Sequence, residues 1–134
     1  MIRKVSVIGL GPMGLRYIKA LSKVNLIKLT SICDVDKNKL ADVVLKVNKY
    51  TDYKQLINNE EIDLLIVAST AASHSKIVTF ASKYGVKRII CEKPIAISLN
   101  EAKKMIDSCK RNNTKLTINH SKRWFVFYKN IKKL

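Results

Sequence analysis

Residues 5–14 read Val-Ser-Val-Ile-Gly-Leu-Gly-Pro-Met-Gly. A β-branched, apolar run (Val5, Val7, Ile8) ends in a Gly-x-Gly-x-x-Gly loop, and Leu15, Ile18 and Leu21 then follow at helical spacing. Strand, glycine loop and helix in succession are the context in which this pattern marks a dinucleotide-binding fold. Gly9 is expected to permit the tight turn off the strand, Gly11 to let the backbone approach a pyrophosphate, and Gly14 to let the helix pack closely on the sheet. Pro12 suits the first helical turn, where its missing N–H leaves no bond unmade. The free N–H groups of that turn carry partial positive charge toward phosphates. Taken alone, the same residues also fit an ordinary glycine-rich turn, so the rest of the chain has to decide.

Working outward, the first helix is expected over about Pro12–Lys23 and a second strand over Leu26–Cys33, ending in Asp34. Asp34 follows Gly14 by about 20 residues, the interval at which such folds set a carboxylate on the adenosine ribose. A carboxylate there accepts hydrogen bonds from the ribose diol and repels a 2′-phosphate, which favours NAD over NADP. The other reading of Asp34 is a turn acid in Asp-Val-Asp-Lys-Asn, for which Asp36 is the better helix cap. Lys37–Lys46 reads as a helix with Leu40, Val43, Val44 and Val47 facing inward. A short strand Val47–Tyr50 follows, and Thr51-Asp52 caps a brief helix through Leu56 and Ile57.

Asp63–Ala68 is a near-continuous apolar run, as in a parallel strand buried on both faces. It leads into a polar small-residue loop, Ser69–His74, and a helix over Ser75–Tyr84 that Gly85 terminates. Val86–Cys91 is a fifth strand, followed by Glu92-Lys93-Pro94. Ser98 with Glu101 opens a helix as a capping box, running to about Arg111, and Thr114–Asn119 is a sixth strand. Strands alternating with helices imply a Rossmann-type α/β fold with a doubly wound parallel sheet. Ligands of such sheets bind outside the carboxyl ends of the strands, where these loops converge.

The chain has 134 residues, one domain's worth, with 47% apolar residues, enough for a core. No stretch is long and apolar enough to span a membrane. Met-Ile-Arg-Lys runs straight into the first strand without a secretory apolar segment, so a cytoplasmic location is expected. Cys33, Cys91 and Cys109 form no Cys-x-x-Cys pair and read as small buried thiols. His74 and His120 are far apart, and no metal site is expected. The net charge of +16 raises nucleic-acid binding. The lysines are scattered rather than clustered, which argues for solvated helix faces and against that partner.

The glycine loop, Asp34, a Ser/Thr loop with His74, Glu92-Lys93-Pro94 after strand five, and Asn119-x-x-x-Arg123-Trp124 after strand six occur together here. In this combination the chain resembles the N-terminal half of the glucose–fructose oxidoreductase, inositol dehydrogenase and MocA-like family. The resemblance implies an NAD-dependent oxidoreductase acting on a hydroxyl or carbonyl of a sugar, cyclitol or nucleotide sugar. It implies that Gly9, Gly11, Pro12, Met13 and Gly14 hold the pyrophosphate and Asp34 the adenosine ribose. Ser69, Thr70 and His74 would line the cofactor channel, and Glu92 and Lys93 would sit by the nicotinamide ribose. Lys93 would reach the substrate hydroxyl, its cationic head polarising a carbonyl or stabilising an alkoxide. Asn119 and Arg123 complete the expected cofactor contacts. Arg123 also fits a snorkelling surface cation, and His120 a packed strand-end residue.

Two departures accompany the resemblance. Many family members have Thr-Pro where this chain has Ser69-Thr70, and many have proline where it has Val126. The family continues into a second α/β domain that supplies most of the substrate pocket and the main subunit contacts. Residues 1–121 are therefore expected to form the dinucleotide-binding domain and 122–134 the start of a connection to a second domain. Homo-oligomerisation is expected of the longer form. A stand-alone, non-catalytic dinucleotide-binding module is the alternative.

Overall fold

A computed structural model describes residues 2–125, without the side chains of Arg123 and Trp124. Its strands are β1 (Arg3–Ile8), β2 (Ile27–Cys33), β3 (Asn48–Tyr50), β4 (Leu64–Val67), β5 (Arg88–Glu92) and β6 (Lys115–Asn119). Between them run α1 (Pro12–Leu21), α2 (Lys37–Asp42), α3 (Tyr53–Asn59), α4 (Ala71–Lys83) and α5 (Leu99–Arg111), and a 3-10 turn Ser121–Trp124 follows β6. The strands form one sheet in the order β3-β2-β1-β4-β5-β6, every described pairing parallel. This is the doubly wound dinucleotide-fold order, as the alternation of strands and helices implied.

Side chains alternate across the sheet and build a core on each face. Val5, Val7, Ile32 and Ile66 point toward α1 and α2, where Tyr17, Ile18, Leu21 and Leu40 meet them. Ile8, Leu65, Val67 and Ile89 point the other way, against Leu56, Ile77, Val78 and Met105 of α3, α4 and α5. Buried polar groups are paired where the faces enclose them: Ser6 with Ser31 at 2.8 Å between β1 and β2, and Ser82 with Ser108 at 2.7 Å between α4 and α5. Asp36, Asp52 and Ser98 cap α2, α3 and α5 through their side chains, as expected. Gly85 leaves α4 with φ of 89°.

Three local expectations are corrected. Leu15 is 48% exposed, and Tyr17 joins Ile18 and Leu21 on the inward face of α1 in its place. α2 stops at Asp42, not Lys46, and Val44 is 92% exposed instead of facing inward. The reason is local: Val43-Val44 is a poor helical pair, and the Lys49 ammonium takes the carbonyls of Leu40 and Val43 at 2.6 and 2.8 Å. α4 begins at Ala71, so the expected loop Ser69–His74 shrinks to Ser69-Thr70. Ala71 and Ala72 favour helix, and the Ser73 hydroxyl folds back onto the Thr70 carbonyl at 2.7 Å.

All three cysteines are free and buried. Burial pushes the Cys33 and Cys91 thiols up to about 12, with the Asp34 and Glu92 carboxylates adding to the effect. A thiol of ordinary value 9.0 ionises in the unfolded chain first. Their contribution to stability is therefore intact below pH 9 and lost as pH rises toward 12. An aromatic disulfide reagent at pH 8 should label the native chain far more slowly than the denatured one. Equal rates would contradict the burial.

Candidate functional site

Between β1 and β4 the strand order reverses, and the connections on either side lead away in opposite directions. That switch point opens a crevice at the carboxyl ends of the strands. It holds an open cavity of about 700 Å³, bordered by Gly9, Gly11, Pro12 and Met13, by Asp34, and by Ser69 and Thr70. Three loops separated widely in sequence thus meet on one ligand-sized space.

The glycines do three different things. Gly9 has φ of 94°, and a Cβ there would lie 2.4 Å from the Ser69 backbone nitrogen, so the first and fourth loops touch backbone to backbone. Gly14 is buried, and its added Cβ would lie 1.9 Å from the Gly9 carbonyl oxygen; α1 rests directly on its own entry loop. A Cβ on Gly11 would meet nothing within 4 Å. Its backbone faces the cavity, open to a ligand.

Asp34 is 8% exposed and already bonded. Oδ2 accepts from the Leu10 N–H at 2.7 Å and Oδ1 from the Asp36 N–H at 2.9 Å, with the Lys39 ammonium 3.7 Å from Oδ2. The carboxylate therefore braces the glycine loop, a task its spacing did not disclose. Each oxygen can accept further bonds, so a ribose diol can still be received at this edge of the cavity. Ser69 and Ser73 share a 2.7 Å hydroxyl contact at the opposite wall.

His74 departs from its expected place lining the channel. It lies within α4, 1% exposed, with Nδ1 3.0 Å from the Pro94 carbonyl and Nε2 3.0 Å from the Ser69 carbonyl. The earlier start of α4 turns the ring inward, where it straps the loop after β4 to the loop after β5. Neutral imidazole donates to one of the two carbonyls, imidazolium to both.

Glu92 is buried, 5% exposed, with both carboxylate oxygens bonded within the protein. Its Oε1 accepts from the Tyr17 hydroxyl at 2.8 Å and the Asn119 amide at 2.6 Å, and its Oε2 from the Lys93 N–H at 3.3 Å. Half-buried Asn119 thus gives one amide N–H to Glu92. Burial, then the hydrogen bond and charge of Glu92, hold the Tyr17 phenol well above its ordinary value, so it stays a proton donor. Lys93 is exposed in the turn that follows, before a cis peptide bond to Pro94. His120 is exposed rather than packed. The Arg123 side chain and residues 126–134 lie outside the described residues. Tyr17 was missed in the sequence because no spacing rule joins a residue in α1 to one at the end of β5.

Among the described residues, no group of three or more His, Cys, Asp or Glu side chains comes together as a metal site. No helix among them is long and apolar enough to cross a membrane.

A six-stranded parallel sheet in this order, with a glycine loop and a carboxylate at its switch point, defines a Rossmann-type dinucleotide-binding domain. The chain belongs to the GFO_IDH_MocA oxidoreductase family, NAD-binding Rossmann fold, whose sequence model matches residues 3–120. It is 30% identical over 134 residues to a myo-inositol 2-dehydrogenase of Thermotoga maritima, covering 98% of this chain and 39% of that protein. It is 29% identical over 124 residues to a D-apiose dehydrogenase of Paraburkholderia graminis, covering 90% of this chain and 33% of the relative. The crystal structure of an oxidoreductase from Agrobacterium radiobacter, in complex with NAD+, L-tartaric acid and magnesium, superposes with a TM-score of 0.90 at 27% identity. That match covers 99% of this chain and 40% of the other. The chain therefore spans well under half the length of these relatives.

Proposed function

We propose that residues 1–121 form the NAD(H)-binding half of a dehydrogenase, with 122–134 leading to a second, substrate-binding domain. The substrate would be a sugar, cyclitol or nucleotide sugar with a hydroxyl or carbonyl to be oxidised or reduced. The observation that carries this reading is the cavity at the β1–β4 switch point, where Gly11 presents open backbone and Asp34 a carboxylate. The cradle fits the cofactor: Gly9 and Gly14 fix the loop against β4 and α1, and the first turn of α1 offers free N–H groups to a pyrophosphate. Gly11, Pro12 and Met13 would contact that pyrophosphate, Asp34 the adenosine ribose, and Ser69 and Thr70 the far wall.

The bound nicotinamide supplies or accepts the hydride. Lys93 is the residue of this chain assigned to the substrate oxygen, where its ammonium would stabilise developing negative charge. Arg123 would add a further cofactor contact. Glu92, His74 and Asn119 are reassigned from cofactor contacts to supports of the loops that carry these groups. The dehydrogenases of inositol and apiose among the relatives support a polyol or sugar substrate. Association into homo-oligomers through the second domain, and a cytoplasmic location, complete the proposal.

Titration of nicotinamide fluorescence tests it. The 134-residue chain should bind NADH saturably and NADPH at least about tenfold more weakly, a difference of roughly 1.4 kcal/mol. With myo-inositol and NAD+ it should turn over little or nothing by itself. Absence of NADH binding would overturn the proposal.

A further inference from the structure

We infer that Tyr17 is a positioning residue for the nicotinamide end of the site, acting through Glu92 on the backbone of Lys93. The inference rests on the NAD(H) reading given above.

Tyr17 lies one turn into α1, the helix that starts at the glycine loop, and its hydroxyl reaches the carboxylate at the end of β5, two places away in the sheet. Glu92 is a buried carboxylate held by three neutral donors, the Tyr17 hydroxyl, the Asn119 amide and the Lys93 N–H. A buried carboxylate is tolerated only while it is hydrogen-bonded. Removing one donor leaves the other two to hold the charge, and the carboxylate turns toward solvent or toward a different donor. Its Oε2 is the atom that receives the Lys93 N–H, so a turned carboxylate releases the start of the Lys93-Pro94 turn. The other side of that turn is tied by His74 through the Pro94 carbonyl. Lys93 is thus gripped from both sides, and Tyr17 supplies the grip that originates in the helix behind the glycine loop.

A plain packing role would be met by phenylalanine, because the ring of Tyr17 already lies against the core formed by α1 and β1. What phenylalanine lacks is the donor to Glu92, and that donor serves the loop after β5 rather than the glycine loop. The effect of losing it should accordingly be confined to the half of the cofactor that reaches Lys93.

Tyr17→Phe and Glu92→Gln test this by calorimetric titration with two ligands, NADH and ADP-ribose, alongside thermal melting. ADP-ribose fills the glycine-loop and Asp34 end and lacks the nicotinamide. In Glu92→Gln, whichever way the amide is turned, its NH2 faces a donor: the Lys93 N–H if it takes the Oε2 place, the Tyr17 hydroxyl and Asn119 amide if it takes the Oε1 place. At least one of the three bonds is thus lost without loss of volume. Both variants should bind NADH about tenfold more weakly, the scale of one hydrogen bond to a charged group. Both should hold ADP-ribose within about twofold of the parent, which also reports that the fold is intact. Unchanged NADH affinity overturns the inference. So does an equal loss for both ligands, which would make Tyr17 a scaffold residue. A parent chain that does not bind NADH overturns the cofactor reading itself, and the inference with it.

Discussion

A Gly11→Val chain is expected to melt within a few degrees of the parent and to bind NADH at least about a hundredfold more weakly, a loss of roughly 3 kcal/mol. Gly11 has extended backbone angles, φ −70° and ψ −175°, that any residue adopts, and its Cβ direction is empty to 4 Å. The added Cβ therefore meets nothing in the free protein, and valine costs only the difference between a glycine and a valine N-cap, about 1 kcal/mol. The side chain occupies the space where the proposed pyrophosphate would touch the backbone. Gly14→Ala is the matched contrast. A single carbon there would lie 1.9 Å from the Gly9 carbonyl oxygen in a buried contact, so α1 must move off its loop. That overpacking should cost at least about 3 kcal/mol of stability, and binding should fail because the cradle is displaced. Calorimetric melting and NADH titration separate the two. A Gly11→Val chain that binds like the parent would remove the glycine loop from the site.

Asp34→Arg is expected to produce the second large change, lowering NADH affinity by about ten- to a hundredfold while shifting the NADH/NADPH ratio toward NADPH. Asp34 braces the glycine loop and, in the proposed function, receives the adenosine ribose; this substitution ends both duties together. The Leu10 N–H loses its acceptor, which should cost about 1–3 kcal/mol of stability and loosen the glycine loop for both cofactors. The carboxylate proposed to face the ribose is replaced by a cation, and Lys39, freed from its 3.7 Å partner, adds a second. Absolute affinities alone would mix the two effects; the ratio isolates the charge. Asp34→Asn, which keeps the shape and one acceptor, should weaken NADH binding with a smaller change in ratio. A ratio left unchanged by Asp34→Arg would take Asp34 out of the ribose role and leave it only as the brace of the loop.

What the sequence disclosed, and what it withheld, follows the range of the forces involved. The centre of the sheet was legible because β1, β2 and β4 each carry their own signal: a short apolar run closed by glycine, aspartate or a Ser/Thr pair. The caps at Asp36, Asp52 and Ser98 were legible for the same reason, since a cap bonds to a backbone two or three residues away. Errors arose where a distant residue decides. Val43 and Val44 match a helix pattern, but Lys49 arrives from the next strand and takes the carbonyls that would continue α2. Ala71–His74 reads as loop by its hydroxyls, yet packing of His74 between two other loops draws those residues into the first turn of α4. The site divides along the same line. Gly9, Gly11 and Asp34 follow directly on the ends of β1 and β2 and border the cavity, while Gly14 is buried against the Gly9 carbonyl. Glu92, His74 and Asn119 were expected at the cofactor because the family resemblance implied it. The hydrogen bonds each side chain makes depend on partners as remote as Tyr17, and those partners hold Glu92 and His74 buried.

The contact of Gly9 with Ser69 has a consequence for how the protein comes into being. β1 is sealed on one side by β2 and on the other by β4, with Ile8 opposite Val67. No part of the cradle is complete until the chain beyond Thr70 has been synthesised and its fourth strand has inserted beside the first. Such non-local parallel pairings form slowly, because a long intervening loop must close before they contribute. A nascent chain that has only its glycine loop and Asp34 therefore offers a nucleotide no closed seat. Cofactor in the cell then acts on the finished domain, deepening the native well by mass action rather than guiding the early steps of folding.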